Sequence, residues 1–208
     1  MLVSNDYVKK QDVVYVTESD SKEDALKKLE ESGYRCIPVL DDSAEYYAGN
    51  IYKVNLLEQE LKGPLEGTVK DLIEDKDGAV KEDDPFFKVF SSIKRLPYLA
   101  MVDESEKFRG ILTSGNVITV LENAWGVNDG SYSLTIGTVE FSGALRKMLK
   151  IVNKYCNVQS VVSLNNGSYY VRRVCIVLPN EVDEPIVEKV KSDLEKNNFT
   201  VTHIEKLN

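Results

Sequence analysis

Tyr34-Arg35-Cys36-Ile37-Pro38-Val39, followed ten residues on by Gly49-Asn50-Ile51-Tyr52-Lys53-Val54-Asn55, decides the fold, because the chain carries the pattern twice. The second copy reads Arg95-Leu96-Pro97-Tyr98-Leu99-Ala100, then Gly110-Ile111-Leu112-Thr113-Ser114-Gly115-Asn116. The prolines at 38 and 97 lie 59 positions apart, and the glycines at 49 and 110 lie 61 apart. In both copies the apolar run with its proline predicts a strand and the polar residues after it a turn. The glycine-led run predicts a returning strand that feeds a helix. An internal repeat of this period governs the whole architecture, and two copies are too few for a solenoid. A pseudo-symmetric pair sharing one core is expected.

Working outward, Val13-Val14-Tyr15-Val16 is a short β-rich run ahead of the first copy. Asp20 stands three residues before Glu23, a capping-box-like helix start, and Ala25, Leu26 and Leu29 give that helix one apolar face. Ahead of the second copy, residues 69–73 form a short helical turn and Ala79-Val80 a brief strand. Asp84 is the expected N-cap, with Pro85 at the first helical position; Phe86, Phe87, Phe90 and Ile93 fall at helical spacing, and Phe86, Phe87 and Phe90 are expected in the core. A helix over 116–123 closes the copy, and the turn residues from Trp125 to Gly130 mark a boundary.

Beyond that boundary the order changes. A strand over 132–139 precedes a helix begun by Ser142-Gly143, whose Leu145, Met148, Leu149 and Val152 form one stripe. A strand over 158–164, a hairpin turn at Asn165-Asn166-Gly167 and a strand over 169–178 follow. Asp183-Glu184-Pro185 opens a second helix, and residues 199–204 form the last strand. This βαββαβ order is the ferredoxin-like split βαβ motif. The fold class is therefore α+β, in three domains: 1–65, 66–124 and 125–208.

The composition narrows the function. The chain has 208 residues, 42% hydrophobic and 29% charged, which suits a folded protein. It has no run of eighteen apolar residues, so no membrane partner is expected, and its start lacks the marks of a signal peptide. Cys36, Cys156 and Cys175 are odd in number and scattered through apolar stretches, as expected for buried reduced thiols in the cytoplasm. The net charge is −8; 10 basic and 9 acidic residues lie from Trp125 onward, leaving 16 against 25 before it. With no basic stripe, a nucleic-acid partner is not expected. Nothing catalytic stands out. His203 is the only histidine, no Cys/His spacing suits a metal, and Glu82-Asp83-Asp84 reads as a solvated turn. No enzyme activity is expected.

The two copies resemble a tandem pair of CBS domains. The third domain resembles an ACT domain, with Ser142-Gly143-Ala144-Leu145 at its turn. Together they are similar to bacterial CBS–ACT proteins of the acetoin-utilisation AcuB type and to some cyclic di-AMP receptors built on CBS pairs. The resemblance implies regulatory binding of an adenine nucleotide in the cleft between the copies, cyclic di-AMP first and AMP or ATP next, with no other cofactor. It also implies a homodimer and a protein target that the sequence does not name.

In such pairs apolar strand residues sandwich the adenine, a threonine meets phosphate and an aspartate holds the ribose. By that resemblance Thr113 and Asn116 take the two polar places in the second copy, and Tyr52 and Asn55 in the first. Val80, Leu96, Pro97 and Tyr98 form the apolar walls of the second copy, and Val16, Ile37 and Pro38 those of the first. Arg35, Lys53, Lys94, Arg95 and Arg109 are the candidate phosphate partners, the arginines first because a guanidinium pairs with phosphate in two-pronged fashion. Two other functions are open. In the first, the ACT-like domain senses a small amino acid near Ser142-Gly143-Ala144, although Phe141 stands where amino-acid-binding members often carry an aspartate. The other is an interaction or assembly module that takes no ligand.

Overall fold

The computed structural model describes residues 7–139, 142–164 and 172–207, and the chain forms two compact units, residues 1–118 and 119–208. The first unit begins with strand β1 (Val8–Lys9) and a 3-10 turn, then strand β2 (Val16–Thr17). Helix α1 (Lys22–Ser32), strands β3 (Cys36–Leu40) and β4 (Tyr47–Tyr52) and helix α2 (Lys53–Glu60) complete the first copy. The second repeats the order: strand β5 (Ala79–Lys81), helix α3 (Phe86–Ile93), strands β6 (Tyr98–Val102) and β7 (Phe108–Thr113), and helix α4 (Ser114–Trp125). In each copy a parallel pair, β2 with β3 or β5 with β6, is extended by an antiparallel partner, β4 or β7.

The repeated glycines have a shared cause. The segment leading into each copy crosses onto the sheet of the other. Val8 and Lys9 pair with Ile111 and Gly110, and Glu74 bridges Asn50 beside Gly49. Gly49 (φ 144°) and Gly110 (φ 156°) lie beneath these crossings. A β-carbon at Gly49 would collide with Ile73 and Glu74, and one at Gly110 with Val8 and the Tyr7 ring. The 61-residue spacing therefore marks two exchanged segments, which tie the copies into one unit.

Three local expectations shift. Helix α1 is capped by Ser21, whose hydroxyl accepts from Asp24 N at 3.0 Å, and Gly33 (φ 73°) ends it. Asp20 instead accepts from Thr17 N and Oγ1 and pairs with Lys28. Helix α3 begins at Phe86 with Pro85 at its N-cap, so Asp84 sits one residue too early; its carboxylate accepts from Lys81 N and Lys88 Nζ. Phe86 and Val89 are buried and Phe90 partly so, whereas Phe87, about 100° further round the helix, is 83% exposed.

The second unit comprises strand β8 (Gly130–Thr138), helix α5 (Ala144–Val152), strands β9 (Ser160–Leu164) and β10 (Arg172–Pro179), helix α6 (Glu184–Lys196) and strand β11 (Thr200–Lys206). The sheet order β11-β8-β10-β9 is antiparallel throughout and gives the ferredoxin-like βαββαβ arrangement. Leu134, Ile136, Met148, Val174, Ile176, Val190 and Leu194 form its core. Asp183 caps α6 by accepting from Ile186 N at 3.1 Å, with Pro185 in the first turn. Phe141 and the expected hairpin turn at Asn165-Asn166-Gly167 lie outside the described residues. All three cysteines are free; Cys36 is buried, but Cys156 and Cys175 are partly exposed, unlike the buried thiols expected.

Candidate functional site

A cavity of about 420 Å³ opens in the first unit where the two copies meet. Ile37 and Pro38 on β3 line it from the first copy. Pro97, Tyr98, Ile111 and Thr113 line it from the second, and Val8, Asp12, Val13 and Val14 from the N-terminal segment. Tyr34 and Arg35 stand exposed at its edge. A concave, mostly apolar hollow with a few polar groups is the usual form of a small-molecule site, and this volume falls in the usual range.

Its polar groups are positioned by the fold. Thr113 ends β7 at the head of α4. Its hydroxyl donates to Asn116 Oδ1 at 2.6 Å and accepts from Asn116 N at 3.2 Å, while Thr113 N donates to Asn116 Oδ1 at 3.0 Å. The pair thus closes the first turn of the helix, the end that attracts anions. On another wall, the Tyr98 hydroxyl donates to Asn50 Oδ1 at 2.7 Å and lies 3.6 Å from Cys36 Sγ. Burial pushes the Cys36 thiol up to about 11 and raises the Tyr98 phenol. Both are therefore neutral groups at ordinary pH.

At the pseudo-symmetric counterpart of this cavity the polar places are taken up by the chain's own acidic residues. Tyr52, in the place corresponding to Thr113, donates to Asp75 Oδ2 at 2.6 Å, and Asn55 Nδ2 donates to Glu74 Oε1 at 2.8 Å. Tyr47 donates to the Asp75 carbonyl at 3.2 Å. Arg95 is held by Asp75 at 3.3 Å and by Asp77 at 3.0 Å. That hydrogen bond from Arg95 keeps the Asp77 carboxyl below the usual carboxylate range. Burial, and then the bond to Asp75, pushes the Tyr52 phenol up. Three carboxylates from the crossing segment repel an anion at this place and occupy its one guanidinium.

The sequence-derived residues therefore separate. Arg35, Ile37, Pro38, Pro97, Tyr98 and Thr113 meet at the open cavity, with Asn116 bonded behind Thr113. Arg95 and Asn55 are engaged by acidic residues at the counterpart. Val16 (0% exposed), Val80 (3%) and Leu96 (5%) are core residues and do not line the open cavity. Val16 and Val80 are paired within their sheets, with Val39 and Met101, and Val80 borders a different hollow beside Tyr47 and Lys76. Arg109 lies in a different hollow, with Lys9 and Lys10.

Sequence reasoning passed over Cys36, Ile111, the N-terminal wall and Asn50. An asparagine between Gly49 and Ile51 in an otherwise apolar strand was the available signal. Asn50 is fully buried, and its Nδ2 has no hydrogen-bond partner. Among the described residues, no group of three or more His, Cys, Asp or Glu is arranged to hold a metal ion, and no helix is long and apolar enough to cross a membrane.

Comparison with known proteins bears on the fold of the first unit. A CBS domain is present at residues 3–61. The fold of the first unit is that of a CBS domain pair. It is similar to a CBS domain-containing protein of unknown function from Bacillus anthracis, at 27% identity, TM-score 0.53, over 59% of this chain and 93% of that one. It is also similar to a CBS domain pair/ACT domain protein from Thermotoga maritima, at 21% identity, TM-score 0.50, over 58% and 96% of the two chains. A third similar structure is CbpB in complex with c-di-AMP, at 17% identity, TM-score 0.52, over 59% and 85%. No curated protein matches the chain.

Proposed function

We propose that the protein is a regulatory sensor that binds an adenine nucleotide in the open cavity, cyclic di-AMP first and AMP or ATP next, and relays the bound state to a protein partner. The observation that carries this is the cavity itself, apolar where copies meet and bounded by Thr113 at the head of α4. Apolar walls suit a purine, and the helix N-terminus suits a phosphate. Arg35 at the edge supplies a guanidinium for the charge that remains. The c-di-AMP complex of CbpB, which shares the fold, supports placing cyclic di-AMP first.

With the polar groups of the counterpart already engaged by acidic residues, each chain takes one adenosine moiety on this reading. The second adenosine of a cyclic dinucleotide then lies on a second copy, which makes a homodimer part of the reading. The C-terminal unit takes the place of an ACT-type relay, as in CBS–ACT proteins of the acetoin-utilisation type.

The test is thermal unfolding with cyclic di-AMP, AMP, ATP and a panel of amino acids. A ligand at 100 times its dissociation constant adds about 2.7 kcal/mol, enough to raise the melting temperature by several degrees. A shift with a nucleotide supports the reading. A shift with amino acids alone, or with nothing, refutes it.

A further inference from the structure

A second hollow, of about 610 Å³, is lined by Tyr7, Lys9, Lys10, Gln11, Tyr15 and Arg109, with Val13 and Phe108. It lies along the same N-terminal segment as the open cavity and shares Val13 with it, but its charged residues lie on the other side of β1. Val8 and Lys9 are neighbours on β1, so their side chains point to opposite sides, Val8 to the cavity and Lys9 to this hollow. None of its lining residues is acidic, although the chain before Trp125 carries 25 acidic residues against 16 basic ones.

Two of the three cations are held in place. Lys9 Nζ sits 3.9 Å from the centre of the Tyr7 ring, and Lys10 Nζ donates to the Ala44 carbonyl. Tyr7 is itself anchored through its hydroxyl on Glu82. Arg109 is exposed, and among the described residues it has no hydrogen-bond or ion-pair partner. Its guanidinium is thus available for two-pronged contact with an oxyanion. Gln11 and Tyr15 add uncharged polar groups to the lining.

We propose that this hollow is an anion site for a small polyphosphate-bearing ligand, separate from the cavity at Thr113. Three cationic residues lining one concave place answer a multiply charged phosphate group better than a single carboxylate. The volume suits a small molecule rather than an extended acidic peptide. Two cations are already held in position, so less side-chain freedom is lost when the ligand binds. The site stands whether or not the cavity takes a nucleotide.

The experiment follows backbone amide shifts of the full chain during titration with inorganic pyrophosphate and, separately, with adenosine. Pyrophosphate is expected to move the amides of Lys9, Lys10, Gln11 and Arg109, with affinity falling as salt rises. Arg109→Ala, an exposed change that leaves the fold intact, weakens pyrophosphate roughly tenfold or more. Adenosine, having no phosphate, leaves these amides still and moves those near Tyr98 and Thr113 if the nucleotide reading is right. Adenosine shifts without pyrophosphate shifts overturn the anion site and leave the cavity reading standing. Pyrophosphate shifts without adenosine shifts do the reverse. Pyrophosphate shifts centred on Thr113, or undiminished in Arg109→Ala, also overturn the anion site, as does binding of poly-glutamate in place of pyrophosphate.

Discussion

Tyr98→Phe removes one hydroxyl and almost nothing else, which makes its effect calculable. That hydroxyl donates to Asn50 Oδ1 at 2.7 Å, and the Asn50 side chain is fully buried with Nδ2 already unpartnered. Without it, neither end of the Asn50 amide has a side-chain partner. Stranding a buried acceptor costs about 1–3 kcal/mol, because the group loses its bond without regaining water. Taking about 2 kcal/mol, and a sensitivity of about 4 °C per kcal/mol for a domain of this size, the melting temperature falls by about 8 °C.

The double variant Tyr98→Phe/Asn50→Leu is the decisive comparison. It replaces both partners by apolar groups of similar shape, which is close to neutral, so most of the loss returns. Urea denaturation of wild type, both single variants and the double gives the coupling energy directly. The reasoning is refuted if Tyr98→Phe lies within about 0.5 kcal/mol of wild type, the ordinary spread for a change that breaks nothing. It is refuted equally if the double variant is no more stable than Tyr98→Phe alone.

Other consequences follow from the same geometry. Gly110→Ala drives a β-carbon into Val8 and the Tyr7 ring, and is expected to release β1, seen as loss of amide protection at residues 8 and 9 in hydrogen exchange. Phe87→Ser, at a side chain 83% exposed, should change stability by less than about 0.5 kcal/mol in urea denaturation; a core phenylalanine would cost several times that. Cys36 gives a pH dependence. Between about pH 9 and about pH 11 the unfolded thiol has ionised while the buried one keeps its proton, so the folded state binds more protons and stability falls as pH rises. The loss is up to about 3 kcal/mol across that window, and Cys36→Ala should flatten the profile when urea midpoints are followed against pH.

The repeat was legible because each glycine is there for a backbone crossing, and a steric demand of that kind leaves a mark at a fixed spacing. The βαββαβ order was legible for a similar reason, since a change of hydrophobic period shows where strand gives way to helix. What could not be read was pairing at a distance. Nothing local distinguishes Arg95 from Arg109, yet one is clasped by Asp75 and Asp77 while the other faces a basic hollow. The difference arises only when the segment before β5 folds back across β4. Val16 and Leu96 are buried away from the open cavity, and no local signal marks this, because an apolar side chain fits a core as well as a pocket. Phe87 failed because it stands about 100° round α3 from Phe86, outside the stripe that buries Phe86 and Val89 and partly covers Phe90.

The central claim is that one of two pseudo-equivalent clefts is a nucleotide site, while the polar places of the other are taken up by acidic residues. Titration calorimetry of cyclic di-AMP, AMP and ATP into wild type, Thr113→Val and Asn55→Ala tests it most directly. The account predicts one adenosine moiety bound per chain, a loss of roughly tenfold or more in Thr113→Val, and little change in Asn55→Ala. Two adenosine moieties per chain, or binding lost in Asn55→Ala and kept in Thr113→Val, would contradict it.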